Sequence, residues 1–247
     1  MVGLPPEIKA CLFDLDGVLT QTAKVHATAW KTMFDEYLRK RAQDRREEFR
    51  EFDAVSDYDE YVDGKPRYEG VRSFLASRNI DLPQGSPSDP PDKDTIDGLG
   101  NRKNELVLEL IHRDGVQPFD GSVRFVKAVR DAGLRRAVVS SSTNCRDVLV
   151  AAGILDLLEE IVDGVVAERE HLAGKPAPDT FLAAARKLGV APANAAVFED
   201  ALAGVEAGHA GSFGLVVGVD RVGQADALKQ HGADVVVKDL AELMEAS

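Results

Sequence analysis

An α/β fold is what this sequence predicts: a doubly wound parallel sheet carrying an inserted helical cap domain. Three observations point there. From Pro118 onward, short apolar runs alternate with helix-like stretches, several of them closed by glycine, the pattern of a parallel sheet covered on both faces. The apolar run Ile8 to Phe13 reads as a further strand of that sheet and ends in two carboxylates, Asp14 and Asp16. Between that strand and the rest lies a stretch of different chemistry, roughly 21–115, with helical periodicity and dense charge. The predicted division is a core domain over 1–20 and 116–247 and a helical cap over 21–115.

Taken in chain order, Ile8 to Phe13 is continuously apolar but for Lys9, as a buried central strand requires. Gly17 follows the acids and lets the chain turn there, re-aiming Asp16. In the insert, Val25 to Leu38 carries apolar residues at helical spacing. Arg39 to Asp53 intersperses Glu and Arg at i, i+4 spacings and reads as a solvated helix face. Pro83 to Asp94, rich in Pro, Ser, Gly and Asp, reads as an irregular loop inside the insert, and Gly98 to Arg113 as an amphipathic helix. In the core the predicted strands are Ala137–Val139, Ile161–Val166, Ala195–Phe198, Leu215–Val219 and Asp234–Val237. Helices are predicted at Ser122–Ala132, Arg146–Ala152, Pro178–Leu188 and Ala225–His231, with Gly133, Gly153, Gly189 and Gly232 as stops. An insert that leaves the sheet just after the two aspartates is expected to hang over them as a lid.

Composition bounds the partners. With 247 residues, 44% of them hydrophobic, the chain can bury a large core. Its formal net charge of -12 repels phosphodiester backbones and anionic membranes, so neither nucleic acid nor a membrane is an expected partner. No apolar stretch approaches a membrane span, and Met1 to Lys9 lacks the build of a signal peptide, so the expected location is the cytoplasm. Cys11 and Cys145 show no metal spacing and are expected to stay reduced thiols. Nothing in the sequence marks an oligomer interface.

Open α/β sheets bind ligands beyond the carboxyl ends of their strands. Asp14 and Asp16 lie there and suit two jobs, a nucleophile and a proton carrier, although an Asp-rich strand end is also a common turn signal. Ser140 to Asn144 follow a strand and precede a helix, so their hydroxyls and amides could hold a phosphate or merely cap the helix. Lys175-Pro176 sits in a loop before a helix, where a lysine is by default a surface charge, and Glu199-Asp200 repeats the strand-end carboxylates. Two like charges 4 Å apart repel by about 4 kcal/mol at an effective dielectric near 20, so clustered carboxylates plus a phosphate call for a cation and a lysine. All-oxygen ligands point to Mg2+ over zinc.

With Asp14/Asp16, Ser140, Lys175-Pro176 and Glu199-Asp200 in this chain order, the sequence resembles the haloacid dehalogenase-like superfamily, whose core is Rossmann-like. The resemblance implies a nucleophile at Asp14, a general acid/base at Asp16, phosphate binding at Ser140 and charge neutralisation at Lys175. It also implies magnesium held by Asp14, Glu199, Asp200 and the backbone carbonyl of Asp16. Asp14 to Thr20 followed by Thr22, His26 and Trp30, together with Ser142-Thr143-Asn144 and Arg102-Lys103-Asn104, is similar to the β-phosphoglucomutase-like subgroup. That likeness implies that His26 and Lys103 lock the cap over a sugar phosphate, while Asn104, Ser142 and Asn144 bind hydroxyls or a second phosphate. Thr22 belongs to the same substrate-binding set. Gln21 stands where the subgroup typically has an acid, the distal-phosphate arginine is matched to Arg72, and the cap is longer than usual.

The activity so implied interconverts β-glucose 1-phosphate and glucose 6-phosphate through an aspartyl phosphate and a glucose 1,6-bisphosphate. Two alternatives stay open at this point. A magnesium-dependent sugar-phosphate phosphatase would use the same core residues with water as acceptor, and a phospho-aspartate signalling module would use Asp14 as a switch.

Overall fold

The computed structural model describes residues 2–245. The chain forms two compact units, one made of the stretch up to Gln21 together with the chain from Val116, the other spanning Thr22–Gly115. In the first, six strands form one sheet: β1 (Ala10–Phe13), β2 (Arg135–Val139), β3 (Glu160–Val162), β4 (Ala195–Glu199), β5 (Leu215–Val219) and β6 (Val235–Val237). Their order is β3-β2-β1-β4-β5-β6 and every pairing is parallel, so the doubly wound α/β class holds. β1 is central, with Phe13 in register with Val138 on one side and Phe198 on the other. All four of its residues are buried, which is why its sequence is apolar on both faces. The Phe13 and Phe198 rings stack at 4.7 Å, and Phe125 meets both edge-on at 6.2 and 5.4 Å. The strand order reverses at β1, and its carboxyl end is therefore the crevice where such sheets bind ligands.

The insert builds a core of its own from α1 (Ala23–Arg45), α2 (Arg67–Ser77) and α3 (Ile96–Asp114), with a π-helical turn at Tyr58–Val62. Trp30 stacks on Phe34 at 5.2 Å, and Phe34 packs against Phe52 and Phe74 at 5.2 and 4.2 Å. The charged run splits where a single helix face was predicted. Arg39 to Arg45 does continue α1, but Arg46 takes a left-handed conformation (φ 56°) and ends it. The chain beyond is irregular because Phe52 inserts into the aromatic core while its amide donates to the buried Asp35 carboxylate at 2.8 Å. Pro83 to Asp94 is irregular, as its composition predicts, and is pinned by Asp89, whose carboxylate accepts from the Thr95 hydroxyl at 2.8 Å and the Ser86 amide at 3.1 Å.

The sheet is covered by α4 (Asp120–Asp131), α5 (Cys145–Ala151), α6 (Gly164–Glu170), α7 (Asp179–Leu188), α8 (Leu202–Ala210) and α9 (Ala225–Gln230), with α10 (Glu242–Glu245) near the end of the chain. One predicted strand is corrected: Ile161–Val166 divides after Val162. Asp163 accepts the Val166 amide at 2.9 Å and caps α6, so the second half of the apolar run is helix and Val165 is exposed. The first strand also starts later than its apolar run, at Ala10, because the Ile8 amide bonds back to Pro5 in a turn. Both cysteines are free and buried, and burial raises both thiols well above their ordinary range. No helix among the described residues is long and apolar enough to cross a membrane.

Candidate functional site

The carboxyl ends of β1, β2 and β4 gather the groups that the sequence singles out. Asp14 continues β1 by one residue, its amide bonded to the Phe198 carbonyl at 2.9 Å. The turn that follows closes on itself: the Gly17 amide donates to the Thr20 carbonyl at 2.8 Å, and both the Leu19 and Thr20 amides donate to the Leu15 carbonyl at 2.9 Å. Gly17 has φ +83°, and a Cβ there would stand 1.8 Å from Asp200 Oδ2. Only glycine allows both the turn and the approach of the second acidic motif.

Lys175 is the centre of the charge arrangement. Its Nζ donates to Asp14 Oδ1 at 2.5 Å and to Glu199 Oε1, lies 3.5 Å from the Val139 carbonyl, and sits over the Phe181 ring at 5.0 Å. A lysine that looks like a surface charge in sequence is thus buried at 3% exposure. Burial opposes its charge, but Asp14 and Glu199 outweigh burial and hold it above the usual lysine range. Asp14 is lifted well above the ordinary carboxylate range, first by burial and then by Glu199 and Asp16, against the pull of Lys175. One lysine therefore leaves the cluster with a surplus of negative charge.

Carboxylate oxygens of Asp14, Glu199 and Asp200 lie within 4.8 Å of one another. The surplus charge and the all-oxygen donor set fit a hard cation. Glu199 is fully buried and its Oε2 accepts the Ala201 amide at 2.9 Å. Gly204, in α8, makes room for that carboxylate, since a Cβ there would lie 1.8 Å from Glu199 Oε1. Sequence reasoning missed Gly204; its only signal is a glycine inside an otherwise helical stretch.

Beyond β2, Ser140 is buried, its amide bonded to the Val162 carbonyl at 3.0 Å and its Oγ accepting the Ser142 amide at 3.1 Å. Ser142 Oγ in turn accepts the Asn144 amide at 3.1 Å, and its carbonyl accepts the Gly164 amide at 3.1 Å. The Ser-rich run is thus a chain of side-chain turns leading into α5.

The predicted residues of the insert form a second group, within that unit. His26 on α1 and Lys103 on α3 are both buried, and Lys103 Nζ lies 2.7 Å from His26 Nδ1, the ammonium donating. The same ammonium lies 4.9 Å from the centre of the Trp30 ring. Thr22 is buried at the start of α1, and Asn104 is half-buried next to Lys103. Arg72 is exposed on α2 and donates to Gln84 Oε1 at 2.5 Å, so the structure joins it to Gln84 within the insert.

The model of the haloacid dehalogenase-like hydrolase family matches residues 8–211. β-Phosphoglucomutases of Mycobacterium tuberculosis and Mycobacterium bovis are 58% identical to the chain over 99% of its length and 94% of theirs. That of Bacillus subtilis is 30% identical over 96% of this chain and 92% of its own. Among solved structures, β-phosphoglucomutase from Clostridium difficile superposes with a TM-score of 0.74 at 26% identity, over 96% of this chain and 93% of that one.

Proposed function

Because the chain belongs to the haloacid dehalogenase-like hydrolase family and to its β-phosphoglucomutase-like branch, we propose that it interconverts β-glucose 1-phosphate and glucose 6-phosphate by phosphoryl transfer through Asp14. Asp14 is the nucleophile that attacks phosphorus in line and takes up the phosphoryl group. Lys175, held cationic between Asp14 and Glu199, neutralises the phosphoryl oxygens, and the Ser140 hydroxyl donates to one of them. Asp14, Glu199, Asp200 and the Asp16 carbonyl would hold Mg2+, which when bound supplies further neutralisation of the transferring group. The cycle starts from phosphorylated Asp14: Asp16 deprotonates the hydroxyl of β-glucose 1-phosphate that accepts the phosphoryl group. The glucose 1,6-bisphosphate so formed turns round and returns its other phosphate to Asp14. In this second half Asp16 protonates the leaving oxygen, and glucose 6-phosphate departs.

The insert supplies the sugar-phosphate contacts in this proposal. Lys103, oriented by His26, pairs with phosphate, Thr22 and Asn104 bind the sugar, and Arg72 serves the distal phosphate; Ser142 and Asn144 add contacts from the core. Closure over the sugar phosphate would exclude water and protect the aspartyl phosphate from hydrolysis. The observation that carries the mutase over a phosphatase is the near full-length identity with mycobacterial β-phosphoglucomutases, since the strand-end groups would serve either activity.

The test is product analysis with β-glucose 1-phosphate, Mg2+ and a trace of glucose 1,6-bisphosphate, following glucose 6-phosphate and free phosphate together. Glucose 6-phosphate without phosphate release is expected. Stoichiometric phosphate with free glucose would replace the mutase by a phosphatase.

A further inference from the structure

The loop after β5 carries side chains that this chemistry leaves unused. Arg221, half-buried, donates from Nε to the Gly17 carbonyl at 2.8 Å and from Nη1 to the Lys238 carbonyl at 2.7 Å, and its Nη2 lies 3.5 Å from the Val18 carbonyl. Its guanidinium stacks 3.6 Å over the centre of the Phe119 ring, while the Phe119 amide bonds to the Leu19 carbonyl at 2.9 Å. The Ser122 hydroxyl also donates to the Val18 carbonyl, at 2.6 Å. Three residues on, Gln224 Nε2 donates to the Asp200 carbonyl at 3.0 Å. The loop itself is stiffened by Asp220, whose Oδ1 accepts the Gly223 and Gln224 amides, both at 2.7 Å.

One short loop therefore grips the outer carbonyls of the turn that carries Asp16 and the backbone of the turn that carries Asp200. Those two turns meet without slack, because Asp200 Oδ2 occupies the space where a Gly17 Cβ would stand. Two charge-assisted bonds from a planar fork fix direction as well as distance, and a lysine offers no such fork.

We propose that Arg221 and Gln224 are positioning residues, a brace that fixes the separation between the Asp14–Asp16 motif and the Glu199–Asp200 motif. The inference rests on the phosphoryl-transfer function proposed above. If the brace slackens, Asp200 and the Asp16 backbone drift relative to Asp14. Misplacement on the ångström scale costs phosphoryl transfer about tenfold to a hundredfold.

The experiment compares R221M, R221K, Q224A and the double variant R221M/Q224A with the wild type. Its readouts are kcat and KM for β-glucose 1-phosphate, calorimetric titration with Mg2+ alone, and Tm. Each of R221M and Q224A is expected to lower kcat by about tenfold or more while KM changes by less than about threefold. Both should weaken Mg2+ binding, the double variant should lose less than the product of the single losses, and R221K should recover little. A lowered Tm with wild-type kcat and wild-type Mg2+ affinity in the folded variants would reduce Arg221 to an ordinary structural link and overturn the proposal. If R221M fails to fold, Q224A, which removes a single hydrogen bond, decides by the same two readouts. A wild-type protein that binds Mg2+ but turns over no β-glucose 1-phosphate would overturn the assigned function alone, and the brace would then be judged on Mg2+ affinity. Absence of Mg2+ binding by the wild type would overturn both.

Discussion

Replacing Gly204 by alanine sets helix propensity directly against the geometry of the acidic cluster. In an exposed helix the change would stabilise by about 0.5–1 kcal/mol, because glycine loses more backbone freedom on folding. Here the new Cβ would stand 1.8 Å from Glu199 Oε1 and 2.0 Å from its Cδ. A flexible side chain could swing aside, but Glu199 is fully buried, with Oε1 bound by Lys175 and Oε2 by the Ala201 amide at 2.9 Å. Overpacking costs about 1–3 kcal/mol, and losing a hydrogen bond to a buried charge about 1.5–3 kcal/mol. After the helix gain is set against these, a net loss of about 2–5 kcal/mol is expected. At about 2–4 °C per kcal/mol for a chain of this size, Tm should fall by roughly 5–20 °C. Since the displaced carboxylate also anchors Lys175 and is a proposed metal ligand, turnover of the folded fraction should drop by about a hundredfold or more. Scanning calorimetry and a coupled glucose 6-phosphate assay read both quantities. A variant at least as stable as the wild type, with full turnover, would refute the argument that Gly204 exists to admit Glu199.

Three other outcomes are expected. Asp16→Ala should slow phosphoryl transfer by about a hundredfold or more with the fold intact, as rapid-quench measurement of phosphoenzyme formation would show, and a near-normal rate would require another proton carrier. Lys103→Met keeps an unbranched side chain of similar length and removes the ammonium that lies over Trp30; it should impair isomerisation of β-glucose 1-phosphate more than hydrolysis of p-nitrophenyl phosphate, and equal losses would remove its role in sugar-phosphate binding. Asp163→Ala removes the cap that accepts the Val166 amide and should cost about 0.5–2 kcal/mol by urea denaturation, whereas an unchanged midpoint would show that the end of β3 is held otherwise.

The sheet was legible because its signals are local. Leu215–Val219 coincides with its apolar run, and Gly189, left-handed at φ 70°, closes α7 where its position in the sequence suggests. The errors arise where a side chain answers to something distant or to its own backbone. Asp163 interrupts a run of apolar residues, but whether it sits within a strand or caps a helix depends on the Val166 amide, which hydropathy does not report. Phe52 lies in a charged segment, and only its partners Phe34 and Phe74 explain why the chain leaves the helix to reach them. Neither α2 nor the π-helical turn before it has a long enough periodic face to stand out. In the site, Asp14, Lys175, Glu199 and Asp200 could be picked out as strand-end and loop residues in the family's order. The burial of Lys175 between two of them could not, nor could the grip of Arg221 on Gly17, since each joins parts of the chain far apart in sequence.

The central place of β1 has a consequence for how the polypeptide is made. Its neighbours are β2 and β4, so β1, the earliest of the six strands in chain order, has no partner until the whole insert has been synthesised, and its second side stays open until Ala195–Glu199 appear. Such long-range pairing closes slowly. The aromatic cluster of the insert, by contrast, is drawn from residues within one continuous stretch and can condense while β1 still waits. Nascent chains should therefore carry a structured insert and an apolar, unpaired β1, and the carboxylates of Asp14, Glu199 and Asp200 come together only once Glu199 and Asp200 have been translated.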